Sequence, residues 1–339
     1  MGILRAKKSV SLELRDDKLR AVELAKKGKN IHIQNYGEKS LPEGLISGGK
    51  LYDSPGLAKE LNKFWSENNF GSKDVVIGIS NQDVIVRFTS FPKVDEKKLD
   101  NIVKFQSQDI FPLDIKSLIF DYAVIGEKSE ENKSFWEVLL IAGKEQMIYD
   151  FLHCLDEAGL RIQEIEVLSL SLMRLSNEEQ LHQVVLVMDV GGGISNLLIT
   201  NYGTPRLARM VSPPGAEEME ETDETSFSET TVSEESEKSN KSHTYNVDNQ
   251  LNYIINCVGT SIDYYQSQNP ENPVEKIVLC GIDEGNDQLV TRLEEELGIP
   301  VELNDPLNAL NISSNGMMKD SASKFSQSIS LAFKGLEEN

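Results

Sequence analysis

The chain has 339 residues, enough for two domains or one bilobed body with a proper core, and its 39% hydrophobic and 26% charged residues are ordinary for a globular protein. Its net charge of −21 and lack of clustered Lys and Arg speak against nucleic acid as a partner, because phosphates must be neutralised by grouped cations. No apolar run approaches the ~18 to 20 residues of a membrane span. The three cysteines (Cys154, Cys257, Cys280) are too scattered for a zinc site or a disulfide framework, so a soluble chain in a reducing, cytoplasmic compartment is expected. Met1–Lys8 is short and basic, and reads as a leader rather than a membrane contact.

Apolar alternation in 9–14, 19–24 and 31–36 predicts a three-stranded meander, with Lys27-Gly28-Lys29-Asn30 as one of its turns. A helix capped by Ser54-Pro55 follows, with Leu57, Leu61, Phe64 and Trp65 on one face, and 74–79 is a short buried strand. From Val84 the register changes. Strands at 84–88, 118–125, 136–142 and 163–167 alternate with helices at 95–109 and 144–158, which reads as a compact α+β insertion.

The apolar run Val184–Val187 ends in Asp189-Val190-Gly191-Gly192-Gly193, and Ser195-Asn196 lead into a second strand, Leu197–Thr200. Such a hairpin suits phosphate: bare glycine backbone lets successive N–H groups approach anionic oxygens, and a carboxylate at the strand end can hold hydrated Mg²⁺. A plain glycine-rich turn fits as well. A strand at 206–211 follows. Between Glu217 and Glu237 there are ten acidic and no basic residues, and 212–244 as a whole is too polar to offset its ordering entropy, so it is expected to be disordered. Then come a helix at 247–268, a strand at 276–280, a helix at 287–297, a strand at 301–303 and a final helix at 321–333. The four histidines are scattered, and no catalytic constellation forms by spacing.

The segment Ser9–Leu24 repeats the plan of the glycine hairpin: strand, acidic turn, strand, with the paired acids Asp16-Asp17 read as a solvated turn face. In this it resembles the actin, Hsp70 and hexokinase superfamily, in which two such hairpins clasp the phosphates of ATP across a cleft. Phrases in order along the chain narrow the resemblance: Leu41-Pro42-Glu43-Gly44-Leu45-Ile46, Val75-Val76-Ile77-Gly78-Ile79, Val84-Ile85-Val86-Arg87, Ile110-Phe111-Pro112, Asp121-Tyr122, Ala158-Gly159-Leu160, Asp189-Val190-Gly191, Ser261-Ile262-Asp263-Tyr264-Tyr265 and Glu294 through Val301. Together they resemble the type IV pilus assembly protein PilM, a relative of the division protein FtsA. The resemblance implies an α/β, actin-like (ribonuclease-H-like) bilobed fold with a small α+β insertion in the first lobe. The layout is then 9–83 in the first lobe, 84–165 inserted, 166–205 first lobe with the second phosphate hairpin, 212–246 disordered, and 247–335 second lobe with a closing C-terminal helix.

The resemblance also implies a scaffold at the inner face of the cytoplasmic membrane, held there through partners. It would bind the cytoplasmic tail of a PilN-type membrane protein in a groove between the first lobe and its insertion, near Arg87, with other pilus assembly proteins and self-association as further partners. The nucleotide site departs from the family pattern. Where glycine, acid, apolar, glycine is usual, this chain has Ser11, Glu13, Leu14 and Arg15, and the adenosine loop reads Cys280-Gly281-Ile282-Asp283-Glu284. Two readings follow. In the favoured one ATP binding and hydrolysis are weakened or lost and the chain is a scaffold. In the other it is a working actin-family ATPase, with Arg15 pairing with phosphate, ATP held by Glu13, Arg15, Asp189, Gly191, Gly192, Gly193, Ser195, Asn196 and Gly281, and Mg held by Asp189. A sugar or acetate kinase on the same fold is disfavoured by the altered first hairpin. Deleting 212–244 should leave the melting temperature nearly unchanged, and a loss beyond about 2 kcal/mol would show that the segment packs.

Overall fold

The computed structural model describes residues 6–111, 114–130, 133–191, 193–212, 238–282, 287–314, 318 and 321–337. Alternation builds the opening meander: β1 (Lys7–Leu14), β2 (Lys18–Lys27) and β3 (Asn30–Ser40) pair antiparallel. Two two-residue strands, β4 (Ile46–Ser47) and β5 (Lys50–Leu51), flank a Gly48-Gly49 turn with both glycines at positive φ. Helix α1 (Ser54–Asn68) is capped by the Asp53 carboxylate, which accepts from Gly56 N–H, one residue before the expected cap.

Strand β6 (Asp74–Ile79) runs parallel to β1, and β10 (Arg161–Val167) parallel to β6, giving the sheet order β10-β6-β1-β2-β3 with the short β16 (Ile312–Ser313) on its outer edge. The second sheet is built to the same plan. Strands β11 (Val184–Asp189), β12 (Ser195–Asn201) and β13 (Thr204–Val211) form a meander, β14 (Lys276–Cys280) lies parallel to β11 and β15 (Val301–Leu303) parallel to β14. The order β13-β12-β11-β14-β15 thus matches β3-β2-β1-β6-β10 of the first sheet, which carries β16 as a sixth strand.

Between β6 and β10 the chain leaves the first lobe. Strands β7 (Val84–Pro92), β9 (Lys133–Lys144) and β8 (Leu118–Glu130) form a three-stranded sheet in that order, and helix α2 (Glu96–Ile110) covers one face. Their own core is Phe91, Leu99, Val103, Leu118, Val138 and Leu140. The insertion expected over 84–165 therefore closes at about residue 144. Helix α3 (Glu145–Glu157) presents Met147, Phe151, Cys154 and Leu155 to the first-lobe core beside Leu57 and Leu61, and β10 joins the first sheet.

Two further boundaries differ from expectation. The second glycine hairpin, assigned above to a first-lobe stretch at 166–205, belongs to the second sheet through the β11–β14 pairing. Helix α5 (Lys238–Gln268) starts nine residues ahead of the expected Val247, so the end of the stretch read as disordered is helical; 213–237 lies outside the described residues. Helix propagation carries polar residues that composition alone leaves out. The deletion that tests the composition argument is therefore 213–237.

Helix α6 (Asp287–Leu297) packs with α5 on the second sheet through Leu289 and Leu293 against Ile255, Val258 and Ile262. The C-terminal helix, Ser326–Glu337, starts after the second sheet yet docks on β1, β2 and β6 of the first. Its approach is close at Gly335, where an added Cβ would run into Ser9 Oγ and lie 2.9 Å from Val76 Cγ2. On an exposed helix Gly→Ala stabilises by about 1 kcal/mol. Here Gly335→Ala is expected to destabilise by about 1 to 3 kcal/mol in urea unfolding, because overpacking displaces β1, and a gain would show that the helix does not dock.

Candidate functional site

The two meanders bring their tips together across the cleft between lobes. Arg15 closes the first hairpin, donating its backbone N–H to Lys18 O at 2.8 Å. Its side chain is only 9% exposed and meets both lobes. Nε pairs with Glu13 on the same strand, Nη1 donates to Val190 O at 3.1 Å, and Nη2 forks onto the two Asp189 oxygens at 2.9 and 2.8 Å. This is the planar, multidentate geometry that a guanidinium provides and an ammonium does not. Glu13, fully buried, also accepts from Ser328 of the C-terminal helix and stands 4.0 Å from Arg20. Arg20 itself donates to Glu38 at 2.6 Å and to Lys324 O at 2.7 Å.

Charge balance sets the ionisation of this group. Burial alone would raise the Glu13 pKa, but the charges of Arg15 and Arg20 and the Ser328 hydroxyl hold it below the usual carboxylate range. Burial dominates at Asp189 and, with the neighbouring Glu13 carboxylate, pushes it up to about 6 against the pull of Arg15. Burial opposes the charge on Arg15 as well, yet Asp189 and Glu13 raise its pKa above the ordinary arginine value.

Asp16, read from sequence as a solvated turn residue, instead accepts from Gly48 and Gly49 N–H at 2.9 and 3.0 Å. Its carboxylate lies against Gly193, where a Cβ would stand 2.7 Å from Asp16 Cγ, and a Cβ at Gly191 would stand 2.7 Å from Arg15 Nη1. The glycines of the second hairpin thus admit the tip of the first. Ser195 Oγ accepts from Gly191 N–H at 3.2 Å, and Asn196 Oδ1 accepts from Ser80 Oγ at 2.7 Å, a second link across the cleft. Gly281, at φ +82°, has its Cα against Asp189 and donates its N–H to Ser323 O at 3.0 Å. Gly192, Asp283 and Glu284 lie outside the described residues.

Of the nucleotide-binding residues proposed from sequence, Glu13, Arg15, Asp189, Gly191, Gly193, Ser195, Asn196 and Gly281 therefore converge on one place. Sequence reasoning missed Asp16, Arg20, Gly48, Gly49, Ser80 and Ser328; the adjacent Gly48-Gly49 pair was the one local signal among them. The residues do not fit a magnesium–triphosphate group as they stand. Both Asp189 oxygens are engaged by Arg15, a dication there would face the guanidinium, and the cavity that remains is about 20 Å³.

Arg87 lies elsewhere. It lines a much larger groove, about 670 Å³, walled by β7 and Lys144 on the insertion, Ser80–Asp83 on the first lobe, and Ala208–Met210 of β13 on the second. Lys144 and Lys50 both approach Asp83, and Arg209 donates to Ser261 Oγ while standing over the Tyr264 ring. Among the described residues Arg87 has no acidic partner, its guanidinium donating to Val86 O of its own strand at 3.0 Å.

Two sheets that share a five-strand order, joined where two meander tips meet across a cleft, define a protein of the actin-like ATPase fold. The chain belongs to the PilM family of type IV pilus assembly proteins, whose family model matches residues 12–336. It is similar to the solved structure of a PilM–PilN type IV pilus biogenesis complex, with 20% identity over 97% of this chain and 99% of that one and a TM-score of 0.76. It also aligns with ethanolamine utilization protein EutJ from Carboxydothermus hydrogenoformans (10% identity, 97% and 90% covered, TM-score 0.49). A Bacteroides thetaiotaomicron protein of actin-like ATPase fold and unknown function aligns too (12%, 96% and 95%, TM-score 0.46).

Asp189 carries the pH dependence of the cleft. Between pH about 4 and about 6 the folded chain keeps a proton on Asp189 that the unfolded chain, at the ordinary value of 3.8, has released. The residue's contribution to stability is thus present below that window and falls as pH rises through it. Asp189→Asn should remove this slope: the stability of the wild type relative to the variant is expected to fall by about 2 kcal/mol from pH 4 to 6 in denaturant titrations, and parallel curves would refute the shift.

Proposed function

We propose that this protein is a cytoplasmic scaffold of type IV pilus assembly that receives the N-terminal cytoplasmic tail of a PilN-type inner-membrane protein, with a nucleotide site too altered to drive the process. The observation that carries the reading is the groove of about 670 Å³ between insertion and lobes. Two of its walls, β7 and β13, are sheet edges: β7 pairs only with β9 and β13 only with β12 among the described residues. An extended peptide can add backbone hydrogen bonds to such an edge and place alternate side chains in the groove. A PilM relative of the same fold was solved as a complex with PilN. Among the described residues no helix is long and apolar enough to cross a membrane, so membrane association would come through the partner.

Charge favours an acid-bearing tail. Lys50, Arg87, Lys144 and Arg209 line the groove with Asp83 as counter-charge, although the whole chain is strongly acidic. Such a local field steers the encounter and fixes register more than it adds affinity. The ATPase reading is weaker, because Asp189, which would have to hold Mg, is occupied by Arg15. A synthetic peptide of the tail of a PilN-like protein from the same genome is expected to bind at micromolar affinity or better in fluorescence anisotropy, and Arg87→Glu to weaken it about tenfold, some 1.4 kcal/mol. Absence of binding to the folded chain would remove this reading.

A further inference from the structure

The Arg15 guanidinium stands between the two hairpins, where the sequence resemblance implies metal and phosphate, and it binds both sides of the cleft at once. Glu13 belongs to β1 in the first lobe, and Asp189 and Val190 end β11 in the second. Four of its contacts are to acceptors in a site with about 20 Å³ left over, against the several hundred Å³ of a small-molecule pocket. The glycine backbone that would approach phosphate is instead in contact with Arg15 and Asp16. A guanidinium cannot be deprotonated at any physiological pH and cannot dissociate.

We infer that Arg15 is a permanent internal cation that latches the two lobes together, taking over within the chain the bridging that a metal and nucleotide would perform. The cleft is closed in every state of the protein, and no nucleotide is required to close it. The latch also reaches the groove. Ser80 lines both the small cavity at Arg15 and the large groove, whose β7 and β13 walls belong to the insertion and to the second lobe. The Arg15–Asp189 pair, together with the Arg206–Glu137 bridge at 2.6 Å between β13 and the insertion, therefore sets the width of the groove. This last step rests on the tail-binding reading; the latch itself does not.

Hydrogen exchange on the full chain tests the latch. Arg15→Ala leaves Glu13 and Asp189 facing each other without the guanidinium, and exchange at Arg15–Lys18, Gly48–Gly49 and Gly193–Asn196 is expected to rise at least about tenfold, while the rest of both sheets stays protected. Because Glu13 and Asp189 would then share only Arg20, 4.0 Å from Glu13, as counter-charge, millimolar magnesium should lower that exchange and raise the melting temperature of Arg15→Ala, with no effect of magnesium or magnesium–ATP on the wild type. Arg15→Ala with Glu13→Gln carries less uncompensated charge and serves if the single variant does not fold; it should show the same opening with a weaker magnesium response. The latch is refuted if hairpin exchange is unchanged in both variants. It is equally refuted if the wild type binds magnesium–ATP at micromolar affinity and Asp189→Ala abolishes it. Tail-peptide affinity measured on the same proteins should fall about tenfold in Arg15→Ala. A wild type that binds no peptide while the variants open as described would remove the tail-binding reading and leave the latch in place.

Discussion

A buried arginine held between two buried carboxylates is an expensive thing to build, and the organisation of this protein follows from how that cost is met. Removing charges from water penalises Glu13, Arg15 and Asp189 alike, and only a dense set of close, well-aimed contacts offsets the penalty. Those contacts come from everywhere at once: β1 and β11 supply the acids, Val190 a carbonyl, the C-terminal helix the Ser328 hydroxyl, and β2 the second cation, Arg20. No one lobe can complete the set, so the two lobes and the C-terminal helix stabilise it jointly or not at all.

The C-terminal helix extends the same principle. It is unusually rich in buried polar side chains, with Ser326, Gln327, Ser328 and Ser330 all inaccessible to solvent. Each is satisfied by a fixed partner: Ser326 by Asn304, Gln327 by the Leu168 carbonyl, Ser328 by Glu13, and Ser330 by the Ser171 carbonyl. Hydrogen bonds of this kind add little net energy when made and cost much when broken, so they specify where the helix sits rather than how strongly it is held. The apolar members, Ile329, Ala332 and Leu336, supply the burial that drives docking.

Much of the secondary structure was legible because it obeys short-range rules. Alternation marked the first meander, an apolar run ending in glycines marked the second, and the apolar face of α1 was visible at helical spacing. Boundaries that depend on distant partners were not. The periodicity of α3 shows that it has a buried face, but not that the face meets Leu57 and Leu61 rather than the insertion core. The glycine hairpin was recognised, and its sheet was misassigned, since only its pairing with β14, some ninety residues on, decides the matter. At the site, the substitution of Arg15 for glycine was plain, but its partner Asp189 is 174 residues away and nothing local points to it. Asp16 looked solvated for the same reason: its ligands are the backbone amides of Gly48 and Gly49.

The C-terminal helix has a consequence for how the chain is made. Glu13 and Ser328 are separated by 315 positions, and the face that β1, β2 and β6 turn toward that helix takes the rest of its cover from Leu168 and from Ile312, Met318 and Phe325. During synthesis the first sheet emerges early and must wait, with that part of its face open, until the helix Ser326–Glu337 has left the ribosome. Contacts of such long sequence separation form slowly and leave apolar surface exposed meanwhile. The first lobe is thus a candidate client for chaperones until that helix emerges, and its emergence is the step at which the two lobes can first become native.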